Sequence, residues 1–446
     1  MNRCNRVTGH NRISSRFASL AALAALSLSG AAHAELQIDI TKGVTDPIPI
    51  AIIPFAGGTA AAGGIDFAAV VQHDLDGSGR FKSMARGALP SRPVRAADVV
   101  AADWHADGED YVLVGRITAV NATRADLDCD LVNALTGQVL GNRRLSANPA
   151  NPRAAAHQVS DFVYEKIMGT RGAFATRIAY VAVDGAPPAQ HFQLFVADAD
   201  GENPQIVLDS RQPIMSPAWS GDGRWIAYVS FENRSASIVV QELRSGERRV
   251  VSARAGVNGA PAWSPDGRQL ALTLSGSGGN LDIYVLDLAT QGLTRITDDP
   301  AIDTEPEWSR DGSQLYFTSD RSGGPQIYMT DVATHQRVQR LTFGSSYNAR
   351  ARLSPDGRSL AFVSREGSAF RIGLQDLASG SVRVLTRGSL DESPSFAPNG
   401  MSLIYAGSEA GHATLATVAV DGLVSQRLKS DRADVREPVW GPFAGP

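Results

Sequence analysis

The sequence is poor in cysteine and has no apolar run long enough to cross a membrane. Only 2 of its 446 residues are cysteines, and Cys4 lies in the leader described below. The remaining Cys129 cannot form an internal disulfide by itself. Its place between Leu127 and Leu131 in an alternating segment predicts a buried thiol. The longest apolar stretch, residues 17–30, has about 14 residues, whereas a membrane-spanning helix needs about 20. We therefore expect neither a disulfide-stapled fold nor a membrane span.

Familiar catalytic motifs are also missing. The sequence contains no G-x-S-x-G, H-E-x-x-H, Walker or G-x-G-x-x-G pattern, so no nucleophile elbow, zinc protease or nucleotide loop is indicated. Its 8 histidines are scattered, and with a lone cysteine they form no cluster at zinc-ligand spacing. His157 and Asp161 stand four residues apart in a helical segment, which predicts a surface pair rather than a catalytic dyad. The sequence thus predicts no metal site and no cofactor.

Two short segments are similar to calcium loops but do not complete the pattern. Residues 74–79 begin like such a loop, yet Ala85 stands where a bidentate glutamate is required. This segment is better explained as the glycine-terminated end of a helix. Residues 198–204 have Asn203 at the position that needs glycine, and we expect a hairpin turn there.

The first 34 residues have the features of a secretory signal peptide. Four arginines precede the apolar stretch, and Ala32-His33-Ala34 forms a small-x-small cleavage site. Cleavage there predicts an exported mature chain that begins at Glu35. It would keep 38 basic and 46 acidic residues, a net charge of about −8. So acidic a chain is not expected to bind nucleic acid or to adhere to an anionic membrane.

One phrase, exemplified by PAWSPDG, recurs after residue 170. Each recurrence opens a unit of four strand-like segments separated by turns with Asp, Asn or Gly, which is the pattern of a β-propeller blade. The period is about 44 residues. The aromatic residue of the phrase, or its replacement, is predicted to be a packing anchor between blades; it falls at Trp219, Trp263, Trp308, Leu353, Phe396 and Trp440.

The sixth copy of the phrase, residues 437–443, stops before its turn. Conversely, the first strand-like segments of the region, residues 176–184, 192–198 and 204–210, lack a phrase of their own. We therefore predict that the C-terminal strand completes this blade. That arrangement closes a six-bladed ring and removes the open sheet edges that invite aggregation.

The residues just before each phrase are the candidate binding site. First strands of blades lie along the central channel, so segments 214–216, 257–260, 302–305, 348–350, 390–392 and 434–437 are predicted to gather at one mouth, opposite the D-G turns. Loops on a rigid scaffold are where binding residues concentrate. The predicted partner-binding residues are Val257, Asn258, Gly259, Ala260, Asp303, Thr304, Glu305, Asn348, Arg350, Asp391, Glu392 and Arg436.

Residues 35–170 have a different pattern and are predicted to form a small α+β domain, followed by the propeller over 171–446. The predicted helices cover 67–75, 95–104 and 154–169, and the predicted strands cover 35–41, 48–55, 111–120 and 125–145. The predicted fold is multidomain, α+β and all-β: a small α/β N-terminal domain and a six-bladed β-propeller closed by the C-terminal strand.

Several of these segments carry a family resemblance. PIAIIPF, DYVLVGRI and HQVSDFVYEKIMGTRGAFATRIAYV in the first domain, with NGAPAWSPDG, DTEPEWSRDG and the closing EPVW, resemble the TolB family of the Tol–Pal envelope system of Gram-negative bacteria. The stretch from the last helix into the first propeller strand is the most specific of these. The resemblance covers nearly all of residues 35–446.

The resemblance implies a non-enzymatic periplasmic adaptor, monomeric when free, that supports outer-membrane integrity and cell division. It implies that the propeller mouth binds the lipoprotein Pal, and Asn258, Gly259 and Ala260 match one Pal-facing motif while Thr304 and Glu305 match another. It also implies that the N-terminal segment binds the C-terminal domain of TolA, and an exposed strand there suits strand addition. The residues of that segment are Glu35, Leu36, Gln37, Ile38, Asp39 and Ile40.

The residues alone leave two other classes of function open. The first is a propeller hydrolase or a propeller that accompanies a peptidase, for which a nucleophile elbow would be required. The second is a carbohydrate-binding propeller, which glycan binding without a lipoprotein partner would reveal.

Overall fold

The computed structural model describes residues 38–39, 46–57, 64–121, 123–148, 150–276, 278–409, 411–428 and 434–444. The predicted signal peptide, and Glu35, Leu36, Gln37 and Ile40 of the N-terminal segment, lie outside the described residues and stay predictions. In the described part of the chain, no helix is long and apolar enough to cross a membrane.

A mixed sheet is the centre of the N-terminal domain. In the described part of this region the strands are β1 (Ile38–Asp39), β2 (Ile48–Ile52), β3 (Phe81–Ser83), β4 (Tyr111–Asn121), β5 (Arg124–Asn133) and β6 (Val139–Ala147). The sheet order is β3-β2-β4-β5-β6, in which β2 pairs in parallel with β3 and β4. The other pairs are antiparallel, as predicted for a meander. Strand β1 lies apart, on the propeller.

Helices α1 (Phe67–Gly77) and α3 (Arg153–Met168) pack against each other and help to form the domain core. Helix α1 begins where the Asp66 carboxylate accepts a hydrogen bond from the Ala69 amide, 3.1 Å away. Cys129 is buried in the same core, as predicted. Burial raises the pKa of its thiol to about 12, so the thiol is inert.

The prediction of one helix over residues 95–104 is wrong. The chain forms a 3-10 turn, Ala96–Asp98, and a separate short helix α2 (Ala101–Ala106). The Asp98 carboxylate accepts a hydrogen bond from the Arg95 amide, 3.1 Å away, which closes the turn locally. The next residue, Val99, is extended, in keeping with the low helix preference of β-branched side chains.

The rest of the described chain forms six four-stranded antiparallel sheets. Their strands are β7 (Arg177–Asp184), β8 (His191–Asp198), β9 (Gln205–Ser210), β10 (Ile214–Trp219), β11 (Trp225–Ser230), β12 (Ser237–Glu242), β13 (Arg248–Ser252), β14 (Asn258–Trp263), β15 (Gln269–Ser275), β16 (Leu281–Asp287), β17 (Leu293–Arg295), β18 (Asp303–Trp308), β19 (Gln314–Ser319), β20 (Gln326–Asp331), β21 (Gln339–Arg340), β22 (Asn348–Leu353), β23 (Ser359–Glu366), β24 (Ala369–Asp376), β25 (Val382–Val384), β26 (Asp391–Phe396), β27 (Ser402–Glu409), β28 (His412–Ala419), β29 (Ser425–Arg427) and β30 (Val435–Trp440).

Each sheet is one blade of a closed propeller. Blades 1 to 5 are β10–β13, β14–β17, β18–β21, β22–β25 and β26–β29, and blade 6 has the order β30-β7-β8-β9. The inner strands β10, β14, β18, β22, β26 and β30 each contact the next, and β30 contacts β10. The predicted six-bladed ring, closed by the C-terminal strand, is therefore confirmed.

The recurring tryptophans join neighbouring blades, as predicted. The indole N–H of Trp263 donates to the carbonyl of Ala218 at 3.1 Å, and that of Trp308 donates to Ala262 at 3.1 Å. The Trp219 indole likewise donates to the Val439 carbonyl at 3.3 Å. A buried indole N–H needs a partner, and the inner strand of the preceding blade supplies it.

The D-G turn of the phrase is held by a serine and an aspartate. In blade 2 the Ser264 hydroxyl donates to Asp266 at 2.6 Å and accepts from the Gln269 amide at 2.9 Å. Gly267 has φ +70°, which explains the glycine at this position. These turns all lie on the face where the inner strands end.

Candidate binding site at the propeller mouth

The N-terminal domain packs against the D-G turn face of the propeller. The Asn399 amide, in the turn after β26, donates to the Arg171 carbonyl at 3.1 Å. Arg80 forms an ion pair with Asp421, and Arg153 forms one with Asp200. Asp421 and Asp200 lie in turns after third strands of blades 5 and 6. The inner strands begin on the opposite face, which we call the mouth.

Each inner strand has one residue in the left-handed backbone region, a conformation that costs a non-glycine residue about 1–3 kcal/mol. The pairing register shifts at this bulge in every blade. A bulge re-aims the chain locally, and here it repeats around the channel. The six residues are Ser216 (φ 51°), Ala260 (45°), Glu305 (57°), Arg350 (57°), Ser393 (54°) and Glu437 (50°).

The sequence did not indicate this backbone conformation. All but Arg350 precede a proline, and a residue before proline normally prefers extended dihedrals. Ser393 was left out of the predicted site, although its place in the repeat matches that of Ala260 and Glu305. The repeat alignment was therefore the signal that could have identified it.

Three of these residues form a charged network inside the channel. The Arg350 Nε lies 2.9 Å from one Glu305 oxygen, and its Nη2 lies 3.7 Å from a Glu437 oxygen. Burial alone would lower the pKa of Arg350, but the carboxylates of Glu305 and Glu437 raise it. The Ser393 hydroxyl accepts a further hydrogen bond from this guanidinium at 2.5 Å. The channel therefore places one firmly held cation between two carboxylates.

Apolar side chains surround the entrance to this charged channel. Val257, Ile302 and Leu390 each stand one residue before an inner strand, on blades 2, 3 and 5, and are 42%, 47% and 42% exposed. Met215 on blade 1 is 42% exposed. Exposed apolar side chains grouped on one surface are typical of protein–protein contact sites. We call these four residues the apolar rim.

Four of the predicted binding side chains are buried inside the propeller. Asn258, Asp303, Asn348 and Asp391 occupy the first position of their inner strands and are at most 2% exposed. Each is used within the propeller: Asp303, for example, accepts two hydrogen bonds from Arg321 at 2.8 and 2.9 Å. Because buried polar groups need partners, these four side chains form hydrogen bonds within the propeller, and those bonds hold the loops in place.

The other predicted residues do reach the mouth or the channel. Among them, the exposed ones are Val257, Glu392 and Arg436, and the half-buried ones are Gly259, Ala260, Thr304, Glu305 and Arg350. The structure therefore brings the exposed residues together at the mouth and the half-buried residues together along the channel wall.

The N-terminal segment adds a short fifth strand to blade 5. Ile38 stands opposite Gln426 and Asp39 opposite Ser425, so β1 pairs antiparallel with the outer strand β29. The strand predicted over residues 35–41 is described only at these two residues.

The prediction of a surface pair at His157 and Asp161 is wrong, because both side chains are buried, with 2% and 7% exposure. The Asp161 carboxylate accepts from the Phe174 amide at 2.8 Å. His157 Nδ1 lies 2.7 Å from Asp74 instead. Burial alone would lower the pKa of His157, but Asp74 and further carboxylates raise it to about 9. Sequence separation hid this cluster, since the helices α1 and α3 meet only in the folded domain.

Together these features define a class: a two-domain β-propeller protein whose charged channel opens at a mouth with an apolar rim. Comparison with known proteins narrows the class. Residues 36–140 match the TolB amino-terminal domain family, and residues 164–444 match the TolB beta propeller domain family. The chain therefore belongs to the TolB family.

Similar proteins agree over nearly the full length. The chain is 49% identical to the Tol-Pal system protein TolB of Methylococcus capsulatus over 94% of this chain and 96% of the relative. It is 48% identical to that of Alcanivorax borkumensis, over 92% and 94%. The crystal structure of TolB from Acinetobacter baumannii matches with a TM-score of 0.84 and 41% identity, covering 92% of this chain and 100% of that one.

Membership of this family makes the chain a non-enzymatic component of the Tol–Pal system. The resemblance found in the sequence is thereby confirmed, and the hydrolase alternative is set aside.

Proposed function

We propose that this chain is a periplasmic adaptor whose propeller mouth binds Pal and whose N-terminal segment binds TolA. In this role it supports outer-membrane integrity and constriction during cell division. The observation that carries the proposal is the mouth itself, where an apolar rim surrounds a charged channel on the face away from the N-terminal domain.

The chemistry of the mouth suits a protein partner with an apolar collar and a polar tip. The rim residues Val257 and Ile302 supply apolar area that contact would remove from water. Within the channel, Glu305 and Arg350 are already positioned by each other, so they can be matched by complementary charges with little rearrangement. The closed ring holds the rim residues and the channel residues in fixed positions relative to each other.

We expect that Ile302→Asp weakens binding of the soluble domain of Pal at least about 30-fold, the size of a contact worth about 2 kcal/mol. Ile302 is 47% exposed at the rim, so a carboxylate there would be desolvated against an apolar partner without unfolding the blade. Isothermal titration calorimetry measures the affinity, and circular dichroism checks the fold.

Ile206→Asp is the matched control, since Ile206 is 51% exposed on β9, the outer strand of blade 6. Its affinity for Pal should stay within about twofold of the wild type. Equal affinities for both variants, or equal losses, would show that the rim is not the binding surface.

Two features support TolA binding by the N-terminal segment. Ile38 and Asp39 already have a strand conformation, paired to a sheet edge. The described pairing lies on β29, the outer strand of blade 5, so exchanging it for an edge strand of TolA would leave the inner strands of the blade unchanged.

Replacing residues 35–41 with a Gly-Ser sequence of equal length is expected to abolish TolA binding. Pal binding should stay within about twofold, because the rim and the channel belong to other parts of the chain. Pull-down with the C-terminal domain of TolA, and calorimetry with Pal, measure the two effects separately. Retention of TolA binding by this variant would refute strand addition by the segment.

A further inference from the structure

A buried charged cluster joins the two domains on the D-G turn face. Helix α1 contributes Asp74 and helix α3 contributes His157 and Arg153. From the propeller, the end of β8 contributes Asp198 and the turn after it contributes Asp200. Asp74, His157 and Asp200 each have one possible metal-ligand atom, and these three atoms lie within 4.8 Å of one another.

The imidazole of His157 is held in one orientation. Its Nδ1 lies 2.7 Å from an Asp74 oxygen, and the Ser160 hydroxyl donates to that same oxygen at 2.6 Å. When Nδ1–H donates to Asp74, Nε2 is the nitrogen left to bind a metal ion, which would displace the proton there. A histidine oriented by a carboxylate in this way is the usual arrangement behind a metal-binding nitrogen.

The Nε2 atom of His157 points at the propeller turn without a hydrogen-bond partner among the described residues. His157 is only 2% exposed. Nε2 lies 3.8 Å from an Asp198 oxygen and 3.9 Å from an Asp200 oxygen, beyond hydrogen-bond distance. A buried ring nitrogen left like this is costly unless something lies between it and the carboxylates.

These separations are close to those between two ligands of one metal ion. Zinc holds nitrogen and oxygen ligands at about 2.0–2.2 Å, which places two of them about 3.3–3.6 Å apart at a tetrahedral angle. The distances from His157 Nε2 to the Asp198 and Asp200 oxygens, 3.8 and 3.9 Å, would have to shorten by a few tenths of an ångström when a metal ion binds. A cleft between the domains is lined in part by Asp74 and Asp200, so it reaches two residues of this cluster.

The charges also favour a divalent cation. Asp74, Asp198 and Asp200 bring three negative charges, and Arg153 brings one positive charge, paired with Asp200 and 3.6 Å from Asp198. The carboxylates outnumber the cations of the cluster even when the imidazole is protonated, and a zinc ion that replaces the imidazole proton would offset the remaining negative charge. Uncompensated buried charge is strongly unfavourable.

We propose that this cluster binds a zinc ion between the two domains. His157 Nε2 and the carboxylates of Asp198 and Asp200 are the ligands, Asp74 orients the imidazole, and water completes the coordination. A mixed nitrogen and oxygen ligand set is compatible with zinc, which ranks above manganese in general affinity. The ion would tie helix α3 to blade 6, and this proposal is independent of partner binding at the mouth.

The first test uses the mature wild-type chain, freed of metal with EDTA and then titrated with zinc at pH 7.5. We expect one zinc ion per chain by elemental analysis, and a higher melting temperature when zinc is present. Anomalous scattering at the zinc edge from crystals should show a peak beside His157 Nε2. Absence of stoichiometric zinc, or a peak elsewhere, overturns the proposal, and this measurement needs no variant.

The variants locate the ligands. His157→Gln and Asp200→Asn should each weaken zinc binding at least about 100-fold, and Asp74→Asn about 10–100-fold. His191→Gln is the matched control, because His191 Nδ1 lies 3.3 Å from Asp209 in an exposed pair of the same kind. Zinc affinity unchanged in His157→Gln, or lost equally in His191→Gln, also overturns the proposal.

Discussion

A chain truncated after Asp434 is expected to lose the cooperative unfolding transition of the propeller. The truncation removes β30, so β7 loses its inner partner and the contacts of Trp440 with Thr176 (2.8 Å) and Ser395 (2.9 Å) disappear. Buried Val435 and the strand's hydrogen bonds together account for more than about 5 kcal/mol. That loss is comparable with the whole stability of a typical domain. Calorimetric melting measures the effect, and size-exclusion chromatography detects aggregation through the exposed edge.

The control is Arg436→Ala, which changes an exposed side chain of the same strand. Its melting temperature should stay within about 2 °C of the wild type. A synthetic peptide of residues 434–446 added to the truncated chain should restore part of the transition by re-forming β30. A truncated chain that melts cooperatively near the wild-type temperature would contradict the closure of the ring by this strand.

Glu305→Lys is expected to weaken Pal binding at least about 100-fold, a loss near 3 kcal/mol. The Glu305 carboxylate holds the Arg350 guanidinium and accepts from the Thr318 hydroxyl and the Arg350 amide, both at 3.0 Å. A lysine there would place a second cation beside Arg350 in the half-buried channel, and the two would repel each other. Calorimetry with Pal measures the affinity, and a melting curve checks that the propeller still folds.

Two further variants show whether a loss of affinity comes from the charge of residue 305 or from its hydrogen bonds. Glu305→Gln can still accept the hydrogen bonds from Thr318 and the Arg350 amide, so we expect an intermediate loss of affinity. Glu247→Lys makes the same charge change at an exposed residue in a D-G face turn of blade 1 and should leave affinity within about twofold. If Glu305→Lys binds Pal as tightly as Glu247→Lys does, the channel network plays no part in binding.

The repeat was the strongest source of correct prediction. Because five of the six blades fold from contiguous residues, the period of the phrase predicted the strands, their turns and the tryptophan contacts. The unfinished copy before Trp440 predicted the closure of the ring. The gathering of the residues before each phrase at one mouth was also predicted in outline, and binding of a partner there stays a proposal.

The errors have a common cause. Asn258 and Asp303 look like surface residues in the sequence, but the fold turns them inward to hold loops. Glu305 and Arg350 have left-handed backbones that no local preference indicates, and they are imposed by the packing of six strands around one axis. His157 was predicted to be exposed because its partner Asp74 is 83 residues away in sequence.

The sequence by itself determined the blade count, the closure by the C-terminal strand and the family, because these follow from periodic and contiguous patterns. Only the tertiary structure decided which mouth residues are exposed, how Glu305, Arg350 and Glu437 meet in the channel, and that Asp74, His157 and Asp200 share one buried cluster. Those arrangements depend on distant segments brought together by packing, and the burial and charge of a side chain there are set by neighbours that local sequence does not specify.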